Sequence, residues 1–135
     1  MVVVPPARLL IVDDNPDARE IYRASLEFVG FQCDEALDGE DAIARVHTAK
    51  PDLILMDAAM PRMDGWECAR RLKADDKTRH IPVVILTAHV FAEHRARAAA
   101  LGVDGFLGKP VLPDALAREI RRILKRTPGR RRTPH

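Results

Sequence analysis

The sequence predicts an α/β fold: a doubly wound sheet of five parallel strands with helices on both faces. Short apolar runs and segments of helical periodicity alternate five times along the chain. The runs are close to continuously apolar, the pattern of strands buried on both sides of a parallel sheet. The 135 residues fit one domain and hardly two. Crossovers between parallel strands are right-handed, so helices on both faces require double winding.

The elements follow in order. RLLIV (Arg8 to Val12) is a short apolar strand. Asp17 to Val29 carries Ala18, Ile21, Tyr22, Leu26 and Val29 at helical spacing, and Gly30 stops it. FQCDEA (Phe31 to Ala36) alternates and reads as a strand with one wetter face. Asp41 to His47 is a short helix built on Ala42, Ile43 and Val46. Pro51 restarts the chain before LILM, the third strand, which runs into Asp57. Trp66 to Lys73 is helical and IPVVIL (Ile81 to Leu86) is the fourth strand. Ala92 to Leu101 is a helix closed by Gly102, and Gly105 to Leu107 is a short fifth strand. Pro113 to Lys125 is the last helix, with Leu116, Ile120, Ile123 and Leu124 on one face.

The formal net charge of +2 hides an asymmetry. From Arg121 onward there are seven basic residues and no acid, so the first 120 residues carry 15 basic and 20 acidic side chains, a net of −5. We read residues 1–7 as an N-terminal extension, 8–125 as the domain, and 126–135 as a basic tail. The tail's prolines, glycine and arginines predict disorder. No apolar run approaches the length of a membrane span, and Pro5-Pro6 interrupts the opening before a signal-peptide core forms. We expect a cytoplasmic protein with no membrane contact. Cys33 and Cys68 lack metal-type spacing and read as reduced structural residues.

In a doubly wound sheet, ligands sit outside the carboxyl ends of the strands. The first strand ends in Asp13-Asp14, the third in Asp57 and the fourth in Thr87, while Lys109-Pro110 follows the fifth. Three carboxylates on one rim repel one another. A hard divalent cation such as Mg²⁺ offsets that repulsion, takes oxygen ligands and holds a phosphoryl group. A lysine offers a point charge to a phosphoryl oxygen, and a threonine hydroxyl offers a hydrogen bond. The chemistry that fits is phosphoryl transfer onto Asp57, in which the carboxylate is the nucleophile and catalysis is mainly positioning and charge neutralisation.

Each of these residues also has a plainer reading. Aspartates after strands often cap the next helix, although Asp17 is available for that task. Asp64-Gly65 alone is a turn signal. Thr87 alone reads as a loop residue, Lys109 alone as a solvated lysine. Their occurrence at successive strand ends is what points to a site.

VDD at Val12 to Asp14, LILMD followed by MPRMDGWE, LTA at Leu86 to Ala88 and GFLGKP at Gly105 to Pro110 resemble the receiver domain of two-component response regulators, from Arg8 to about Lys125. The resemblance implies a flavodoxin-like sheet order of 2-1-3-4-5. It implies that Asp57 accepts a phosphoryl group from a sensor histidine kinase or phosphotransfer protein. Asp14 would bind Mg²⁺ directly and Asp13 through water, with Asp57 and the Ala59 backbone carbonyl completing the ligands. Thr87 and Lys109 would hold phosphoryl oxygens, the Lys109-Pro110 bond would be cis, and Thr87 with Phe106 would form the switch. Phe106 also reads as a plain core aromatic. The last two helices and the strand between them would meet a downstream protein or a second copy. Gly108 departs from the small side chain usual before the lysine, which suggests a more flexible loop.

The resulting expectation is a phosphorylation-activated switch that is a phosphoacceptor and not an enzyme. It would load itself from small phosphodonors. It would lose the phosphoryl group slowly, because Ala59 offers no polar group to orient water; His89 is the other residue that could modulate this loss. We expect a self-standing single-domain regulator. The alternatives are a Mg²⁺-dependent aspartyl-phosphate phosphatase, or the receiver of a larger DNA-binding or hybrid-kinase protein. The phosphatase would profit from an acid two residues beyond the nucleophile, where Ala59 stands. DNA binding through the tail is disfavoured by the acidic body and the lack of a helix-turn-helix.

Overall fold

A computed structural model of the chain describes residues 5–126. The elements are β1 (Arg8–Val12), α1 (Pro16–Phe28), β2 (Gln32–Ala36), α2 (Gly39–Ala49), β3 (Leu53–Asp57), α3 (Gly65–Ala74), β4 (Val83–Thr87), α4 (Ala92–Leu101), β5 (Gly105–Gly108) and α5 (Pro113–Arg126). All neighbouring strands are parallel, in the order β2-β1-β3-β4-β5. The expected topology is therefore observed. The disorder expected of the tail falls, after Arg126, outside the described residues.

Strand alternation divides the core in two. Leu10, Val12, Ile54, Met56, Val83 and Ile85 point to one face, where Ala42 and Val46 of α2, Cys68, Ala69 and Leu72 of α3, and Ala98 of α4 cover them. Leu9, Ile11, Leu53, Leu55, Val84 and Leu86 point to the other, under Leu26 of α1 and Leu116, Ile120 and Ile123 of α5. Both faces of β3 are buried, which explains its unbroken apolar run. Each fully buried aliphatic side chain stabilises the fold by roughly 1.5–3 kcal/mol, so the central strands are rigid supports for whatever follows them.

Several boundaries move for local reasons. Asn15, not Asp17, caps α1, accepting from the amides of Asp17 and Ala18. Helix α2 starts at Gly39 because Asp38 caps it through the Asp41 amide. Strand β4 starts at Val83 because the Ile81 amide closes a turn onto Thr78 and Pro82 has no amide hydrogen to offer a ladder. Glycines end two helices as expected: Gly30 has φ +105°, and Gly102 caps α4 at φ +76°. Both cysteines are free and buried.

Candidate functional site

The site begins where strands stop. Asp13 is the first residue past β1. Its amide donates to the Ala36 carbonyl at 3.3 Å, and its Oδ1 accepts from the Asn15 amide at 2.9 Å. Asp57 is the last residue of β3 and is buried, as is Asp13, whereas Asp14 is exposed. The next residue, Ala58, stays tied to the sheet by donating to the Leu86 carbonyl at 2.8 Å. The chain then turns through Met60 to Met63 into α3, which Asp64 caps through the Glu67 amide at 2.8 Å. Gly65 opens that helix directly against β3. A Cβ there would overlap the Asp57 carbonyl oxygen, so only glycine admits this close approach. Asp64-Gly65 is therefore a cap plus a packing glycine rather than a simple turn.

Ligand oxygens of Asp13, Asp14 and Asp57 all lie within 4.8 Å of one another. Lys109 reaches into this group from the far edge of the sheet. Its Nζ stands 2.6 Å from Asp57 Oδ1 and 3.8 Å from Asp13 Oδ2. Its amide donates to the Thr87 carbonyl at 2.7 Å, and the Lys109-Pro110 bond is cis. Thr87, buried at the end of β4, accepts from the His89 amide through Oγ1 at 3.1 Å. Burial pushes the Asp57 carboxyl above the ordinary aspartate range. The hydrogen bond from Lys109 opposes this, and the Asp13 and Asp14 charges add to it. Burial also disfavours the Lys109 ammonium, but Asp57 and Asp13 outweigh it and hold the lysine above its usual value. The rim thus sets three carboxylates against one ammonium.

Other predicted residues lie around this centre. Ala59 is exposed in the loop after Asp57. The exposed His89 ring stacks on Phe91 at 5.9 Å and an interplanar angle of 12°. Phe106 is set apart from the carboxylates, half-buried on the α4 side. Its ring is 5.7 Å from Trp66 of α3, and the Arg95 guanidinium of α4 lies over it at 5.6 Å. Arg97 covers the other aromatic, 4.8 Å from the Trp66 centroid. Gly108 does not leave empty space: the Val90 side chain fills the volume a Cβ would need, with Cγ1 at 2.9 Å.

Sequence reasoning missed two neighbours of the rim and one of Phe106. Tyr22 of α1 has its hydroxyl pKa raised by burial, with Lys109 opposing and Asp13 and Asp57 adding, which puts the phenol in electrostatic reach of the site. Arg19 bonds the Asp13 carbonyl, and Trp66 backs Phe106. Tyr22 and Arg19 lie in the helical pattern of α1, and no local signal distinguishes them from ordinary helix residues.

Comparison with known proteins gives a consistent result. A family model described as response regulator receiver domain matches residues 9–121. The chain is 39% identical over 127 residues to the phosphate regulon transcriptional regulatory protein PhoB of Pseudomonas aeruginosa, covering 93% of this chain and 56% of that protein. It is 36% identical over 124 residues to the response regulator MprA of Mycolicibacterium vanbaalenii, covering 90% and 52%. The chain spans about half the length of these curated relatives. Among solved structures, Vibrio cholerae chemotaxis protein CheY4 superposes with a TM-score of 0.83 at 30% identity, covering 87% of this chain and 98% of that one. The signal receiver domain of a signal transduction histidine kinase from Syntrophus aciditrophicus does so with a TM-score of 0.83 at 34% identity, covering 95% of each.

Proposed function

Since the chain belongs to the family of response regulator receiver domains, we propose that it is a signalling switch, charged by transfer of a phosphoryl group onto Asp57 from a histidine kinase or phosphotransfer protein. The observation that carries this reading is the Asp57 carboxylate, held at the end of a rigid buried strand and met by Lys109 Nζ at 2.6 Å.

The donor set suits a hard cation. Every candidate ligand is an oxygen, and three clustered carboxylates face a single ammonium. Asp13, Asp14, Asp57 and the Ala59 carbonyl would hold Mg²⁺, which when bound supplies positive charge to the transferring phosphoryl oxygens. An Asp57 oxygen attacks phosphorus; the P–N bond of the donor phosphohistidine breaks and its electron pair stays on the imidazole. Lys109 exchanges its Asp57 contact for a phosphoryl oxygen. The Thr87 hydroxyl donates to another. As Thr87 is drawn inward it vacates space that Phe106, which now lies between Trp66 and Arg95, moves to fill, and α4, β5 and α5 present the altered face to a downstream protein or a second copy. The group is a signal rather than an intermediate of turnover, because Ala59 provides no acid for a leaving group.

A second reading has support of its own. The curated relatives are about twice as long, and PhoB is named a transcriptional regulatory protein, so this receiver could be the input half of a DNA-binding regulator. Among the described residues no helix is long and apolar enough to cross a membrane.

Mg²⁺ tests the site directly. Because it binds the folded state, millimolar Mg²⁺ raises the melting temperature of the wild type, and Asp14→Ala abolishes the rise. A melting temperature indifferent to Mg²⁺ contradicts the site. Steady turnover of a phosphomonoester would favour the phosphatase instead.

A further inference from the structure

Arg19 is joined to the acid pair by a contact that the switch chemistry leaves unused. It stands in the second turn of α1, and its side chain is only 11% exposed. Its Nε donates to Glu35 Oε1 on β2 at 2.8 Å, and its Nη1 donates to the Asp13 carbonyl oxygen at 2.8 Å. Glu35 is held in turn by Arg23, whose Nη1 donates to Oε2 at 2.7 Å. Both arginines hold the Glu35 carboxyl below the usual range, Arg23 more strongly than Arg19.

We propose that Arg19 is a positioning residue for the divalent cation, fixing the peptide plane between Asp13 and Asp14 so that both carboxylates aim at one point. The inference rests on the Mg²⁺ reading above and names a residue on which that site depends. A peptide unit is planar. The Asp13 carbonyl and the Asp14 amide belong to one such unit, so pinning the oxygen also fixes the direction in which the Asp14 residue leaves. Asp13 is anchored three ways: amide to Ala36, carboxylate to the Asn15 amide, carbonyl to Arg19. Asp14 is exposed, and its aim depends on the plane behind it.

The guanidinium suits this task because it is flat. With one edge seated on Glu35, the Nη1 hydrogen has a set direction, and that direction meets the carbonyl. A lysine has no such fork. The charges here are balanced, since Arg19 and Arg23 face Glu35 and Glu27. The effect on the cation is therefore one of orientation more than of field. Partners that bond the ligating groups themselves control metal affinity by roughly 10–100-fold; Arg19 acts one peptide unit further back, which sets the expected effect at the lower end of that range.

Isothermal titration of Mg²⁺ into the full chain tests this, with melting temperatures recorded in metal-free buffer for every variant. The wild type binds. Arg19→Met weakens the dissociation constant about tenfold or more, and Arg19→Lys, which keeps the charge, weakens it to a similar degree. Glu35→Gln loosens the fork without removing it and gives a smaller loss; it carries the test alone if Arg19→Met does not fold. Unchanged affinity in Arg19→Met, or in Glu35→Gln where that variant stands alone, overturns the proposal, as does full rescue by Arg19→Lys. A lower melting temperature with undiminished affinity also overturns it, because the role is then structural only. A wild type that binds no Mg²⁺ overturns the underlying metal reading and this one together, and that failure shows in the wild type itself.

Discussion

Asp57 is an acid kept where ionisation is unfavourable. Burial raises its carboxyl pKa in the folded chain, against the pull of Lys109. The native state then holds a proton to higher pH than the unfolded state, whose aspartates titrate at about 3.9. Stability from this group is therefore lost as pH rises from that value through the folded pKa. Acids shifted the other way, such as Glu67 at about 2 under its hydrogen bonds from Arg70 and Arg71, are common to wild type and variant and cancel in a difference. We predict that in Mg²⁺-free buffer Asp57→Asn melts higher than wild type at neutral pH, and that the gap closes as pH falls below about 4. A variant less stable than wild type at pH 7 would show that the Lys109 pair outweighs burial. Ala59 bears on the same carboxylate. It is exposed and cannot orient a water, so Ala59→Asn should speed loss of the phosphoryl group by roughly tenfold to a hundredfold, below the larger factors of full acid–base catalysis. The check is phosphate decay after donor removal; an unchanged rate would shift attention to His89.

Helix and strand junctions decide how firmly the rim is held. At Gly65 the obstacle is backbone, the Asp57 carbonyl itself; at Gly108 it is a methyl of the exposed Val90 side chain, carried on the loop between β4 and α4, which has more room to yield than a carbonyl in the sheet. We predict that Gly65→Ala destabilises by about 1–3 kcal/mol, as overpacking does, while Gly108→Ala costs under about 0.5 kcal/mol, as permissive surface changes do. Urea denaturation of both variants measures this, and equal costs would mean that the two junctions are held alike. These junctions also mark what the sequence makes legible. Asp13, Asp14, Asp57, Thr87 and Lys109 can be read from one dimension because a parallel sheet brings every strand's carboxyl end to the same rim. The bond from Arg19 to the Asp13 carbonyl, the Trp66–Phe106 contact and the filling of Gly108 by Val90 cannot, since each depends on a side chain of one element or loop meeting another element in space, and no periodicity records that. The choice of Asn15 over Asp17 as cap turns on two residues of helix boundary, finer than composition resolves.

At the scale of the molecule, the two faces of the sheet have different partners. Helices α1 and α5 cover one face, and α2, α3 and α4 cover the other, with β5 at the edge carrying Phe106 toward α4. Asp57 stands on the central strand and is bonded to Lys109, the residue that follows the edge strand β5, so one ion pair links the middle of the sheet to its edge. The central claim is that this arrangement exists to carry a phosphoryl group on Asp57. It is tested most directly by incubating the chain with Mg²⁺ and a small phosphodonor and measuring intact mass beside the Asp57→Asn variant. The account predicts that one phosphoryl group is gained by the wild type, that the gain requires Mg²⁺, and that the variant gains none. Equal uptake by Asp57→Asn, or no uptake by a folded wild type that binds Mg²⁺, would contradict it.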